Sequence, residues 1–325
     1  MVNALSSFFK ITAFRSKEGT KHIIEFHDGV LVKDEIKPNK NGKHGTIVEF
    51  KASPKYMGDE AKLPVEDVMN WIESLFYLNS DNLKKKDIKC KFTVYNGMEL
   101  IDTKKFKPQP FSLLINKILP AGLKKSNLST LCYFNGRTSF IEESKTLVED
   151  DEGATTVEKV PVEKNIHMDI AFQYGTSADM NDSATYDTYC NYTNTIDNGT
   201  HLVAFDEAFC RYMQMATNNT MSDNQKDKLK ITWDDIRTNL FAVINLSTNA
   251  YVGFVGNAKR AIDNKELLPY LKEIISDGLV EYFEKNPATL SEYIKIIKLN
   301  AKARLEAQKA KSATQTERLN TFKEH

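Results

Sequence analysis

The stretch Val255–Arg260, "VGNAKR", joins a flexible glycine to a small amide and two cations. It follows a strongly apolar run, "NLFAVINLST" at 239–248, and precedes a helical pattern, which is where loops often carry function. A loop with a glycine and a nearby lysine is suited to contact a phosphate. The spacing does not match a Walker loop, which needs a lysine directly after its second glycine. A Lys-Arg pair in a loop is also typical of a solvated turn, so the residues alone leave both interpretations open.

A second candidate is His201, which follows the turn sequence Asn198-Gly199 and Thr200. Thr200 is predicted to cap the helix that begins there. No nucleophile stands beside His201, and a structural histidine is favoured over a catalytic one. The remaining histidines and the four widely separated cysteines show no metal-ligand spacing, so no metal site is predicted. The cysteines are expected to be reduced thiols, mostly buried.

The composition limits the class of protein. The chain has 325 residues, 41% hydrophobic, which is enough for packed cores and suggests two domains. Lys plus Arg equals Asp plus Glu at 44 each, so the net charge predicts neither a nucleic-acid nor a membrane partner, although local clusters still can. No apolar run approaches the ~20 residues of a membrane span, and the amino terminus lacks a signal-peptide pattern. A cytoplasmic protein is expected.

The first third of the chain has the pattern of a β-meander followed by a helix. Residues 8–36 contain short β-prone runs separated by turn residues, and 45–51 is a further strand. Apolar residues at helical spacing predict an amphipathic helix over 63–79, and 90–97 alternates as a strand. Two prolines in "FKPQPF" place a domain boundary near residue 108.

The remainder alternates strands and helices. The acidic segment 142–165 is predicted to be a protruding hairpin or a mobile insertion. The sequence then predicts strands at 166–174 and 239–248 and helices at 201–216 and 265–286. The last segment, 290–323, is a helix that becomes basic, with eight Lys or Arg against three Glu from Lys295 to His325. Such a helix is a solvated projection, a nucleic-acid contact or the start of a truncated domain.

Six stretches in order resemble the large, B-type subunit of type IIA DNA topoisomerases, the gyrase B and topoisomerase IV family. They are "MVNALS" (1–6), "GTIVEFKASPKYMG" (45–58), "TNTIDNGTHLVAF" (193–205), "ITWDDIRTNLFAVINL" (231–246), "GNAKRAIDNKEL" (256–267) and "IKIIKLNAKARLEAQKA" (294–310). The resemblance implies an α+β fold in three parts. The carboxy-terminal part of a GHKL-type ATPase domain would occupy 1–108, a ribosomal-protein-like transducer domain 109–295, and an exit helix toward an absent TOPRIM domain 296–325.

The resemblance also implies roles for particular residues. Lys259 matches the family lysine that reaches the γ-phosphate of ATP, while Asn257 stands where the family has a glutamine with a similar contact. Thr46 matches a threonine near the adenine. ATP and Mg²⁺ would be held mainly by segments outside this chain. Basic residues of the exit helix would face DNA, or would form a solvated helix face; they are Lys295, Lys298, Lys302 and Arg304.

The function implied is that of a subunit of an ATP-dependent type II DNA topoisomerase, coupling ATP hydrolysis to strand passage, with the chain alone inactive. Expected partners are a separately encoded GHKL fragment docked on an incomplete sheet, TOPRIM-containing and DNA-cleaving subunits, and DNA, in a two-fold assembly. A split subunit of this kind suggests a phage source. The alternative is a non-catalytic remnant or regulatory module that pairs with topoisomerase subunits. A Lys259→Ala change discriminates the two.

Overall fold

A computed structural model describes residues 2–58, 64–96, 98–149, 155–176, 183–256 and 259–323, with backbone alone for 144–149, 155–158 and 316–323. Contacts divide the chain into two units, Met1–Val68 and Met69–His325. The prediction placed a domain boundary near 108 from the proline pair and the family resemblance. That boundary stays a prediction. The contacts divide the chain earlier and group residues 69–106 with the later part.

The first unit is a four-stranded antiparallel sheet with the order β3-β2-β1-β4. Its strands are β1 (Ser6–Arg15), β2 (Thr20–His27), β3 (Val30–Pro38) and β4 (Gly45–Ala52), followed by the one-turn helix α1 (Pro54–Met57). Glycines with positive φ close the first two turns, at Gly19 and Gly29. The predicted meander and its fourth strand are confirmed, and β4 returns to pair with β1.

β4 is exposed along its whole length. The side chains of Ile47, Val48 and Phe50 retain 50%, 53% and 60% of their accessible surface, although they alternate between the two faces of the sheet. A sheet strand of this composition ordinarily buries at least one face. The described part of this unit therefore leaves apolar side chains of β4 uncovered on both faces of the sheet, with Val48 and Phe50 on one face and Ile47 on the other.

The second unit begins with a helical hairpin and a two-stranded ribbon. Its elements are α2 (Val65–Leu78), which starts just before the division, α3 (Ser80–Lys85), β5 (Cys90–Asn96) and β6 (Glu99–Phe106). Phe76, Leu83 and Phe106 form the small core between the helices and the ribbon. Short 3₁₀ segments follow at Phe111–Lys117 and Lys125–Asn127.

A five-stranded sheet with the order β10-β9-β11-β8-β7 forms the centre of this unit. β9 and β11 run parallel to each other, and the helix α4 lies in the crossover between them. The strands are β7 (Cys132–Glu149), β8 (Thr155–Tyr174), β9 (Thr185–Cys190), β10 (Thr193–Asn194) and β11 (Leu240–Thr248). The helices are α4 (Thr200–Asn219), α5 (Asp223–Leu229), α6 (Trp233–Arg237), α7 (Leu268–Lys285) and α8 (Pro287–Lys323).

Helices cover one face of this sheet and a short apolar segment covers part of the other. Alternate residues of β8, such as Met168 and Phe172, face α4 and α7 in the main core. On the opposite face Phe241 and Val243 pack with residues of the 3₁₀ segment Phe111–Lys117. β11 is therefore buried on both faces at its centre, as its continuous apolar sequence predicts.

The β7–β8 pair extends far beyond the sheet. Its pairing continues to Glu149 and Thr155, whereas β11 leaves β8 at Ile166. A two-stranded ribbon therefore projects from the sheet, which confirms a hairpin at 142–165; its tip, 150–154, lies outside the described residues. The basic carboxy-terminal segment is also part of a longer element, because α8 is continuous from Pro287 to Lys323.

Candidate phosphate-contacting loop

The loop that follows β11 forms a narrow hairpin whose tip carries Lys259. Phe254 and Ile262 form an antiparallel bridge, and the amide of Val255 donates to Ala261 O at 2.8 Å. Below them the amide of Asp263 donates to Gly253 O at 2.9 Å. Lys259 thus lies beyond two paired positions, which hold the two sides of the loop together.

Lys259 is exposed and has a left-handed backbone, with φ +52°. A non-glycine residue in this region costs of the order of 1 kcal/mol, and such strain is found more often at functional positions. The Lys259 Nζ lies 5.2 Å from the centroid of the Phe254 ring. An exposed cation–π contact contributes about 0.5–1 kcal/mol, so the ammonium group can leave this ring for a phosphate at small cost.

An ion pair fixes one side of the tip. Arg260 Nε and Nη2 donate to Asp197 Oδ2 and Oδ1 at 2.6 and 2.9 Å, and the amide of Asp197 donates to Arg260 O at 2.8 Å. Both side chains are 53% exposed, so the pair adds little to stability. Its bidentate geometry orients Arg260 instead, and with it the neighbouring backbone of Lys259.

The base of the hairpin is bonded to the start of α4. Gly199 and Ile262 form a parallel bridge, and the amide of Thr200 donates to Ile262 O at 3.1 Å. A Cβ on Gly199 would lie 2.3 Å from Ile262 O, and its φ is +130°, so this position requires glycine. The prediction that Thr200 caps α4 is wrong, because Gly199 is the N-cap residue. The Thr200 hydroxyl accepts from the amide of Asn264 at 2.9 Å.

Asn264 is a buried residue of this site that the sequence reasoning did not single out. Its Oδ1 accepts from the amide of Gly253 at 2.8 Å, and its Nδ2 donates to Tyr251 O at 3.1 Å and to Glu266 Oε1 at 2.6 Å. One side chain therefore joins both ends of the loop. The available signal is its presence in "GNAKRAIDNKEL", the stretch that also contains Asn257 and Lys259.

His201 has the structural role predicted for it. It is fully buried, and its Nε2 lies 3.0 Å from Thr195 Oγ1. Burial lowers the pKa of His201 to about 4, so the imidazole is neutral near pH 7. A ring in this setting packs beneath the first turn of α4 and is not available to a substrate.

The other predicted contacts lie elsewhere. Thr46 is an exposed residue of β4 opposite Ala13, in the first unit, and Asn257 lies outside the described residues. On α8, Lys295 and Lys302 are exposed, and Lys298 Nζ donates to Thr220 O at 3.4 Å.

Arg304 differs from the three candidate lysines because its charge is already paired. Its Nε donates to Asp235 Oδ1 at 2.7 Å and its Nη2 to Asp235 Oδ2 at 3.0 Å. Asp235 is 1% exposed and belongs to α6. The DNA-facing role of Arg304 stays a prediction, and this contact joins α8 to α6.

The described residues show no cluster of metal-ligating side chains. Within the ranges that the structure describes, no three His, Cys, Asp or Glu side chains come together as metal ligands. No helix among the described residues is long and apolar enough to cross a membrane.

A protein-family model for DNA gyrase B matches residues 136–313, which include the whole loop and most of α8. The chain belongs to the DNA gyrase B family. It is 26% identical to the DNA gyrase B protein of Mycoplasma genitalium over 324 residues, covering 97% of this chain and 44% of the relative. The gyrase B protein of Spiroplasma citri is 25% identical, with 97% and 43% covered. The chain thus spans less than half the length of these curated relatives.

Solved structures show the same fold. The 43K ATPase domain of Thermus thermophilus gyrase B, in complex with an aminocoumarin, superposes with a TM-score of 0.61 at 22% identity, covering 96% of this chain and 73% of that one. The topoisomerase IV ATP-binding domain of Francisella tularensis gives 0.60 at 18% identity, with 94% and 71% covered. The predicted α+β fold of GHKL strands, transducer domain and long helix is confirmed.

Proposed function

We propose that this chain is a subunit of an ATP-dependent type II DNA topoisomerase, and that Lys259 contacts the γ-phosphate of an ATP held by an adjoining ATP-binding segment. The observation that carries this proposal is the exposed Lys259 beyond the paired positions of the hairpin, inside the region that matches the gyrase B family. The lysine would stabilise charge that develops on the γ-phosphoryl group, an electrostatic contribution that needs a fixed and accessible cation.

The packing of the loop offers a route from nucleotide to DNA. The hairpin base is hydrogen-bonded to the first turn of α4 through Thr200, and α4 shares the main core with α7 and the start of α8. α8 has 37 residues and so extends for about 55 Å. A displacement of the tip on ATP binding would move α4 and α8 as packed bodies, which is how small shifts at an effector site become larger ones.

The ATP-binding segment would cover the bare surface of β4. Val48 and Phe50 form an apolar patch on one face of β4, of the kind that marks a protein interface, and Thr46 on the same face would then lie beside the adenine. In this proposal a separately encoded GHKL fragment holds most of the ATP and its Mg²⁺. TOPRIM-containing and DNA-cleaving subunits complete a two-fold assembly, in which Lys295 and Lys302 contact DNA phosphates in a salt-sensitive, sequence-independent manner.

The test is a pull-down with this chain as bait, followed by measurement of DNA-stimulated ATPase activity in the recovered complex. Lys259→Ala should lower the rate about 10²–10³-fold, as expected for loss of a charge that stabilises the transition state. Lys265→Ala, an exposed lysine just beyond the same hairpin, should leave the rate unchanged. The chain alone should show no ATPase activity. An activity indifferent to Lys259 would instead support the non-catalytic interaction module.

The proposed contact of the ATP-binding segment with β4 is tested in the same experiment. Phe50→Asp should prevent recovery of an ATP-binding fragment, because a charge at the centre of an apolar interface is not compensated. Ile141→Asp is the matched control, since Ile141 is 74% exposed on the β7–β8 ribbon. Equal recovery with both variants would place the partner on another surface.

A further inference from the structure

An open cavity of about 520 Å³, lined mainly by polar residues, lies where β7, β8 and β11 meet the β9–β10 turn. Arg137, His167 and Ser247 stand directly opposite one another on three neighbouring strands. These residues occupy the sheet face opposite α4 and α7, because the intervening Ile166 and Met168 point into the core. Among the residues that line the cavity, all of them described, there is no carboxylate and no lysine, so Arg137 gives it a net positive charge.

The guanidinium of Arg137 is held in a fixed orientation. Its Nε donates to His167 Nδ1 at 3.2 Å, and His167 Nε2 lies 3.2 Å from Asp169 Oδ2. Asp169 Oδ1 in turn accepts from Tyr133 Oη at 3.0 Å. His167 Nδ1 also lies 3.1 Å from Gly136 O, so the imidazole is held between the β7 backbone and the Asp169 carboxylate.

The two terminal nitrogens of Arg137 have no partner among the described residues, which leaves one edge of the fork free. Ser247 adds a hydroxyl on the same face. Its Oγ accepts weakly from Asn245 Nδ2, at 3.5 Å, so its own hydrogen is available to a ligand. A fixed guanidinium with an adjacent hydroxyl is a donor set suited to a tetrahedral oxyanion.

The opposite wall is a tyrosine in an unfavourable backbone conformation. Asn191 and Tyr192 form the two-residue turn between β9 and β10, with φ values of +46° and +67°. Such turns favour glycine at the second position, and a bulky residue there is strained. Asn191 pins the turn, since its Oδ1 accepts from the amide of Thr248 at 2.9 Å and its Nδ2 donates to Thr248 O at 3.0 Å. Tyr192 is 39% exposed, and its hydroxyl donates to Asn79 Oδ1 at 3.4 Å. Strain retained in a cavity wall points to a use for that ring.

We propose that this cavity binds a phosphate monoester that carries an aromatic or other planar group. The phosphate would accept from the free edge of Arg137 and from Ser247, while the planar group packs on Tyr192. The volume exceeds that of a phosphate alone and leaves room for the organic portion. This site uses none of the residues of the Lys259 loop, so it stands or falls independently of the proposed topoisomerase function.

The experiment is calorimetric titration of the full chain with phenyl phosphate and, separately, with inorganic phosphate. Phenyl phosphate should bind about tenfold more tightly, a difference of ~1.4 kcal/mol for the ring contact. Arg137→Gln should weaken both ligands at least tenfold, and Arg137→Lys should weaken them less, because it keeps the charge and loses the fork. Arg211→Gln removes an exposed arginine of α4 and should change nothing.

Tyr192→Gly removes the ring contact and keeps the phosphate contacts of Arg137 and Ser247. It does not strain the turn, since glycine is the preferred residue there. It should reduce the affinity for phenyl phosphate to that for inorganic phosphate and leave the latter unchanged. The proposal is overturned if neither ligand gives saturable heat. It is equally overturned if Arg137→Gln binds as the unchanged protein does, since binding would then be general anion attraction.

Discussion

The contact between Arg304 and Asp235 decides whether the basic end of α8 is an anchor or a solvated surface. Asp235 is 1% exposed and forms a capping box with Thr232, whose amide and hydroxyl donate to Asp235 Oδ2 at 2.8 and 2.9 Å. Arg304 supplies the only cationic partner of this carboxylate among the described residues. Arg304→Ala would therefore leave a buried charge with two neutral hydrogen bonds and no counter-ion.

The size of the effect follows from the burial of the two partners. Removing one member of a buried pair costs about 3–5 kcal/mol. Arg304 is 25% exposed, and Asp235 keeps both contacts from Thr232, so we expect a smaller loss, about 2–3 kcal/mol in the free energy of unfolding. Lys302→Ala, on an exposed neighbouring position of α8, should change stability by less than about 0.5 kcal/mol.

Urea unfolding followed by tryptophan fluorescence measures the loss in the free energy of unfolding with a reporter close to the ion pair. The chain has two tryptophans, and Trp233 lies two residues from Asp235, so a Trp71→Phe background leaves it as the single reporter. The double variant Arg304→Ala/Asp235→Ala then gives the coupling energy. If Arg304→Ala costs no more than Lys302→Ala, the pair does not anchor the helix and Arg304 is free to face DNA.

Three further predictions concern the loop base and the core. Gly199→Ala should raise amide hydrogen exchange at Ile262 by about 10–100-fold, because the added Cβ would lie 2.3 Å from Ile262 O at a φ of +130°. The free energy of unfolding should fall by up to about 3 kcal/mol as the pH drops from 6.5 toward 4, because burial of His201 disfavours its protonation in the folded state. His201→Asn should flatten this pH dependence even if it lowers the free energy of unfolding at every pH. In thiol-modification assays on the folded chain, the half-buried Cys90 should react first. The other three cysteines should react only on unfolding, because burial raises the pKa of each thiol to about 12; they are Cys132, Cys190 and Cys210.

Much of the fold follows from local patterns in the sequence. The meander, the amphipathic helix over 63–79 and the doubly buried strand at 239–248 all have the periodicity that their burial requires, and each is present in the structure. The sequence also identifies Lys259 as the cation of the loop, since this depends only on the order of residues in a short segment. These features rest on neighbours in sequence, which is why a single chain reveals them.

The contacts that give those residues their roles are set by distant parts of the chain. Thr200 bonds to the base of the Lys259 loop instead of capping its own helix, Arg304 reaches a carboxylate on α6, and Arg137 meets His167 from another strand. Each partner is tens of residues away, and strand order and helix packing decide which side chains meet. A periodic pattern specifies which face of an element is buried, but only tertiary packing specifies what lies against that face.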